Sequence, residues 1–247
     1  MASGAVSRFV SFMASRGKQV RVVAVETCSL RVRRIRLQGP ALEGVAWNPG
    51  DKVKLHVPPG VLRSYTPSGG GRAAGTLDVV VHLHGQGPAA SWAASATEGE
   101  KIGLLGPKPS LRTTAGSGSL RPLFLGDETA LGLMCALVDG LSAAARPFGA
   151  VEVAAEDVDA VAALDLPLTA VPRVGNHGEA TRAWLRDADL EGVDGGWLSG
   201  EVDAVAAWVD DVVARHVPRQ AIRAKAYWSV RGHDHRKRVE RSAGLRG

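Results

Sequence analysis

The chain has 247 residues, 45% hydrophobic and 22% charged, with 30 glycines, 13 prolines and two cysteines. This is the composition of a globular protein long enough for two small domains. No apolar run is long enough to span a membrane, and two cysteines are too few to ligate an iron–sulfur cluster. The net charge of +5 is uneven: residues 219–247 carry nine Lys/Arg against two Asp/Glu, +7, which leaves 21 against 23, or −2, for the rest.

Residues 1–18 contain Arg8, Arg16 and Lys18 and no clean apolar stretch, so they read as an arm and not as a signal peptide. Cys28 and Cys135 are far apart and form no CxxC pair, which fits a reducing cytoplasm. Any electrons must then come from a diffusible carrier or a partner protein. Val20–Val25 and Leu30–Leu37 read as strands, the second alternating basic and apolar residues. Gly39-Pro40 and Asn48-Pro49-Gly50-Asp51 are turns, and Lys52–Val57 alternates again.

Arg63-Ser64-Tyr65-Thr66 follows in a turn-like setting of Pro and Gly. Leu77–His84 is a β-branched strand, and Gly85-Gln86-Gly87-Pro88-Ala89-Ala90-Ser91-Trp92 is a glycine turn opening a helix, 89–96, with Pro88 near its first position. A strand, a glycine turn and a helix N-terminus make an anion site, because unpaired N–H groups and the positive end of the dipole face one point. Arg63 offers a fork for phosphate oxygens, Tyr65 a flat ring, Thr66 a hydroxyl. Lys101–Leu105 is the next strand, closed by Gly106-Pro107. Five to six short antiparallel strands in 19–112 predict a small closed β-barrel.

The small, polar residues 113–120 read as a linker. Beyond them, in 121–230, strands alternate with helices: strand 122–126, helix 130–145, strands 151–155 and 168–172, helix 178–187, strand 196–200, helix 201–216 and strand 222–228. This predicts an α/β domain on a parallel sheet. Residues 231–247 form a basic tail, which either meets an anionic partner or, beyond Arg236, is a solvated, frayed end.

The motifs Arg63-Ser64-Tyr65-Thr66 and His84-Gly85-Gln86-Gly87-Pro88-Ala89 with Trp92 together resemble the flavin-binding half of the siderophore-interacting protein family, within the ferredoxin-reductase-like flavoproteins. Gly126-Asp127-Glu128-Thr129-Ala130-Leu131, Trp197-Leu198-Ser199-Gly200-Glu201 and Ala226-Tyr227-Trp228 resemble segments of its second half. Ala226, Ser199 and Gly132 depart from residues usual there. The resemblance implies a cytoplasmic FAD-dependent reductase of ferric siderophores, with NAD(P)H or ferredoxin as electron donor. The alternative is a flavin- and siderophore-binding protein without reductase activity. Nucleic-acid binding through the tail lacks interleaved aromatics or a module to support it.

On that reading the pyrophosphate of FAD lies on Gly85, Gly87, Pro88, Ala89 and Ala90 with Arg63 opposite. Ser64, Tyr65, His82, His84 and Trp92 complete the cofactor site, and Thr66 reaches the flavin edge as a catalytic residue. Asp127, Glu128, Thr129, Gly200 and Glu201 are candidates for docking NAD(P)H. Against this, the turn at Asp127 lacks close-approach glycines and its acids repel phosphate, so a helix-capping role competes. Lys225, with Arg223 and Arg231, is the candidate attraction for an anionic ferric siderophore, with Lys225 also catalytic. The competing reading is that these cations solvate an edge strand. His82 and His84, two apart on a strand, share a face but lack a third metal ligand. His233 and His235 read as solvated.

Overall fold

The computed structural model describes residues 17–85, 87–111 and 120–245. Most of the expected arm and linker, Gln86 of the glycine turn and residues 246–247 of the tail lie outside the described residues. The chain forms two compact units, Met1–Arg112 and Thr113–Gly247. No described helix is long and apolar enough to cross a membrane.

The first unit contains, among the described residues, seven strands: β1 (Lys18–Thr27), β2 (Val32–Gln38), β3 (Lys52–Val57), β4 (Val61–Tyr65), β5 (Pro67–Gly69), β6 (Thr76–His82) and β7 (Lys101–Lys108). Their order is β4-β3-β7-β1-β2-β6-β5, with every pairing antiparallel. The two outermost strands, β4 and β5, are successive in the chain and joined at Thr66, so the sheet curls into a near-barrel. Alternate residues turn inward. Val20 and Val22, Ile35 and Leu37, Val53 and Leu55, Leu77 and Val79, and Ile102 and Leu104 fill the interior. Helix α1 (Pro88–Ser95) adds Ala89, Trp92 and Ala93 to this core and packs on β2, β3, β4 and β6.

Two expectations change here. Arg63-Ser64-Tyr65 lies in strand β4, not in a turn, because Gly60 (φ 112°) reverses the chain and donates its N–H to Val57, pairing Leu55 with Arg63 and Val53 with Tyr65. Strand β7 does not close at Gly106-Pro107. Gly106 (φ 112°) takes a conformation open to glycine, opposite a register shift between Lys52 and Lys54, and the strand continues to Lys108.

The second unit has five parallel strands: β8 (Pro122–Asp127), β9 (Phe148–Val153), β10 (Thr169–Pro172), β11 (Gly195–Glu201) and β12 (Ile222–Trp228), in the order β10-β9-β8-β11-β12. The order reverses between β8 and β11, which creates a switch point at the carboxyl ends of those strands. The helices are α2 (Leu131–Asp139), α3 (Asp159–Ala163), α4 (Glu179–Asp187), α5 (Val202–Ala214) and α6 (His233–Ser242). Helix α5 presents Val202, Val205, Val209 and Val212 to the core at helical spacing, with Trp208 fully buried beside them. Helix α2 is shorter than the expected 130–145 and ends at Asp139, ahead of Gly140.

The tail is the largest correction. A frayed end beyond Arg236 was expected; instead 233–242 form helix α6, and Val239, Ala243 and Leu245 pack on the core under α5 and β12. Apolar residues at 239, 243 and 245, diluted among five cations, carried too weak a periodic signal to read. His235 is not solvated: only 9% of its side chain is exposed, and its Nε2 lies 2.9 Å from both carboxylate oxygens of Asp203 on α5. Leu245→Ala should therefore lower the unfolding free energy by about 2–4 kcal/mol, the range for truncating a buried leucine. Urea titration checks this; a wild-type midpoint would show that the last residues contribute nothing to the core.

Candidate functional site

In the first unit, Gly87 precedes α1 in an extended conformation, Pro88 occupies the first turn, and no side chain caps the helix. Its first N–H groups therefore face outward with the positive end of the dipole. Gly85 (φ 61°) and Gly87 are both exposed, and a Cβ added at either would meet nothing within 4 Å. The turn thus borders open space. Strand β4 lies against α1 and β6, so Arg63, Ser64 and Tyr65 share this end of the unit with the turn. Arg63 is exposed, forms no ion pair among the described residues, and donates only to its neighbour's carbonyl, Leu62, at 3.0 Å. An uncapped helix start and an unpaired guanidinium are the two donors a pyrophosphate needs.

Tyr65 is half-buried against the core, and burial pushes its hydroxyl up to about 12, with the Arg63 charge opposing; it is a neutral donor at any physiological pH. Thr66 is 8% exposed at the seam between β4 and β5. Strand β6 stops at His82, and a turn in which His84 donates to the His82 carbonyl (3.0 Å) brings the two rings to 5.8 Å. No group of three or more His, Cys, Asp or Glu suited to a metal ion occurs among the described residues. Ala89 and Ala90 are buried, and Trp92 is turned inward, its indole donating to Glu100 at 3.0 Å, so these three anchor the helix. Cys28 and Cys135 are buried and in no disulfide, and burial pushes the Cys28 thiol up, away from nucleophilic use.

In the second unit the switch point is built around Asp127, 2% exposed. Its carboxylate accepts from the Thr129 amide (2.9 Å) and hydroxyl (2.5 Å), the Glu201 amide (2.8 Å) and the Trp228 indole (2.9 Å). Burial nonetheless pushes its pKa up, with the bonds from Thr129 and Trp228 opposing. Gly200 (φ 155°) passes so close that a Cβ there would lie 2.6 Å from the carboxylate, which is why the position takes glycine. Glu201 caps α5 through the Asp203 amide (2.7 Å) and accepts from the Val230 amide (3.2 Å). Glu128 accepts from the Ala154 amide (2.9 Å) and from Arg173 (2.5 Å). The Asp127 and Thr129 side chains thus meet the Glu201 backbone, the Glu201 carboxylate turns to the start of α5, Glu128 points to a neighbouring cluster, and all four are engaged within the unit.

The third set lies on the edge strand β12. Ile222, Ala224 and Ala226 are buried while Arg223 and Lys225 are half-exposed on the opposite face. Arg223 donates to the Gln220 carbonyl (2.5 Å), and the Lys225 carbonyl accepts from Ser199 (2.8 Å). Arg231 is exposed beyond the strand, 3.9 Å from Asp203.

Residues 58–111 match the siderophore-interacting FAD-binding domain, and residues 121–231 match the siderophore-interacting protein domain. The chain belongs to the siderophore-interacting protein family. Among solved structures it is similar to the siderophore-interacting protein SipS from Aeromonas hydrophila, at 26% identity over 91% of this chain and 96% of that one, with a TM-score of 0.71. A siderophore utilization protein from T. fusca is 24% identical over 87% and 93%, with a TM-score of 0.70. A ferredoxin reductase of carbazole 1,9a-dioxygenase, 19% identical over 83% and 67% with a TM-score of 0.71, shares the ferredoxin-reductase-like fold. No curated protein matches the chain.

Residue-level reasoning missed a cluster beside the switch point. Glu152 is wholly buried and accepts from Arg173 (3.2 Å) and from the amides of Gly178 (2.9 Å), Ala180 (3.1 Å) and Thr181 (3.3 Å) at the start of α4. A glutamate inside the apolar strand Val151-Glu152-Val153 was the available signal. His177 stands edge-on to Trp228 at 4.8 Å. Because Asp127 meets four donors, Asp127→Asn turns an amide NH2 toward other donors and should cost about 1–3 kcal/mol of stability. Thermal and denaturant unfolding measure it; a variant as stable as wild type would mean the carboxylate does not hold the strand ends.

Proposed function

We propose that this protein is a cytoplasmic FAD-dependent reductase of ferric siderophores, releasing iron by converting Fe(III) to Fe(II) with electrons from NAD(P)H or ferredoxin. The observation that carries the reading is the uncapped start of α1 beside the unpaired Arg63, in a unit matching an FAD-binding domain. Two buried cysteines outside any disulfide suit a reducing compartment. When bound, FAD supplies the link between a two-electron donor and one-electron reduction of iron. The chain supplies position and charge. Arg63 and the N–H groups of Gly85, Gly87, Ala89 and Ala90 would hold the pyrophosphate. Ser64, Tyr65, Thr66, His82 and His84 would line the rest of the cofactor, with Trp92 fixing the helix. Thr66 would donate a hydrogen bond at the reactive edge. Asp127, Glu128, Thr129, Gly200 and Glu201 would border a docked NAD(P)H through their backbone, their side chains being engaged. Lys225, assisted by Arg223 and Arg231, would attract the anionic ferric siderophore. The ferrous product binds hard oxygen ligands more weakly and leaves.

Purified protein should bind FAD and show flavin bands near ~370 and ~450 nm, set by the cofactor. A protein that stays colourless with added FAD would overturn the reading. Arg63→Ala should weaken FAD binding by about 1.5–3 kcal/mol, the range for a hydrogen bond to a charged group. Titration of the variant checks it, and wild-type affinity would remove Arg63 from the site. Lys225→Ala should lower kcat/KM for an anionic ferric siderophore at low ionic strength and flatten its salt dependence while leaving FAD content intact. Unchanged kinetics at low and high salt would assign Lys225 to the surface.

A further inference from the structure

Strand β12 carries one residue more than its partner at the carboxyl end. Ala226 pairs with Gly200, but the next pair is Trp228 with Glu201, so Tyr227 stands as a bulge in the parallel ladder. A bulge leaves the extra residue out of the ladder and re-aims the side chain beside it. The Trp228 indole crosses the end of β11 and donates to the Asp127 carboxylate at the end of β8, 2.9 Å away. Two strand spacings, about 9–10 Å, separate β12 from β8, a span that calls for a large side chain. Gly200, at the end of the strand between, has no side chain in the way. The indole therefore lies over the point where the strand order reverses, and His177 packs against it at 4.8 Å.

Helix α6 holds this arrangement. Arg236, half-buried, donates to the Tyr227 carbonyl at 2.7 Å, which ties the bulge itself to the helix. His235 bonds Asp203 at 2.9 Å, and Val239 and Ala243 meet the core, so the helix is fixed to the unit. The turn between strand and helix is closed as well: the Gly232 amide donates to the Ser229 carbonyl (3.1 Å) and the Val230 amide to Glu201 (3.2 Å). The residues around Trp228 are thus pinned from α5 and α6 at once. The domain match ends at residue 231 and α6 begins at His233, so this latch lies outside the matched segment.

We propose that Trp228 is a gate over the switch point of the second unit, and that Arg236 is the positioning residue that keeps it shut. The proposal rests on the pyridine-nucleotide branch of the reading above. A nucleotide bordering Asp127 and Gly200 meets the indole first and enters only when Trp228 swings off the carboxylate. Asp127 keeps the Thr129 amide and hydroxyl and the Glu201 amide when the indole leaves, so opening does not strand a buried charge. Opening does require the bulge to move, and Arg236 holds the bulge. A ligand that needs the open state binds with an apparent affinity lowered by the fraction of molecules in that state. Loss of the Arg236 bond raises that fraction.

The test uses the FAD-loaded full chain with isotope-labelled tryptophan, the variants Arg236→Ala, Arg236→Lys and Trp228→Phe, and NADH as the probe. The signal lost in Trp228→Phe identifies the Trp228 indole N–H. In Arg236→Ala its hydrogen exchange should speed up about tenfold, the effect of one lost hydrogen bond. Exchange at Trp208, buried in the same unit and bonded to the Gly178 carbonyl, should stay as in wild type. Calorimetric affinity for NADH should rise by the same factor as the Trp228 exchange, because both report the open fraction. Arg236→Lys, which retains a donor, should fall between wild type and Arg236→Ala. Trp228→Phe, without the indole N–H, should also bind NADH more tightly than wild type, and FAD content should be the same in all. Equal acceleration at Trp208 would make Arg236 a stability residue and overturn the proposal. So would unchanged exchange at Trp228, faster exchange without tighter NADH binding, or no NADH binding by any variant. If the gate behaves as stated but the reduced, FAD-loaded protein releases no Fe(II) from a ferric siderophore, the gate stands and the reductase reading falls.

Discussion

A carboxylate removed from water must find a donor for each oxygen, and in this chain that demand falls on Asp127. At 2% exposure it draws the Thr129 amide and hydroxyl, the Glu201 amide and the Trp228 indole to one point. Those partners sit at the ends of β8, β11 and β12, so one buried acid ties three of the five strands where the sheet order reverses. It also fixes composition around it: Gly200 is there because a side chain would collide with the carboxylate. Glu152 repeats the arrangement one strand over, binding the start of α4 with three amides and Arg173. The buried carboxylates at this end of the sheet are thereby paired within the unit.

The near-barrel unit follows the opposite rule. Its helix start has no side-chain cap, Gly85 and Gly87 border open space, and among the described residues Arg63 pairs with no acid. Uncapped helix-start amides and a guanidinium are the kind of donors that the proposed anionic cofactor would use. Trp92 and the two alanines behind the turn anchor α1 in the core, so the donors are held still while remaining unpaired. A cofactor that binds preformed donors loses little to ordering them.

Much of this was legible in the sequence. Period-two alternation marked β2 and β3, the change to alternating strands and helices marked the second unit, and the pair of motifs around Arg63 and Gly85 marked the unit that matches an FAD-binding domain. What escaped was set by tertiary contacts. Helix α6 is anchored by only a few apolar side chains and by pairings with Asp203 and Tyr227, distant in sequence, so its residues looked like a charged tail. The passage of β7 through Gly106-Pro107 depends on a bulge opposite Lys52–Lys54. Glu152 was visible as an acid in an apolar strand, but its role depends on where α4 begins. Sequence also could not say whether Asp127 and Glu128 face a ligand or the protein; burial directs their carboxylates inward.

The central claim is that the flavin-loaded chain delivers electrons to iron held by a siderophore. The most direct measurement is a single turnover without oxygen: FAD-loaded protein, reduced beforehand, is mixed with a ferric siderophore and a ferrous-specific chelator. The account predicts that absorbance near ~450 nm returns as the cofactor is reoxidised, and that Fe(II) appears at two per flavin, since a fully reduced flavin holds two electrons. A cofactor that stays reduced with no Fe(II) captured, while the siderophore demonstrably binds, would contradict it and leave a binding protein in place of a reductase.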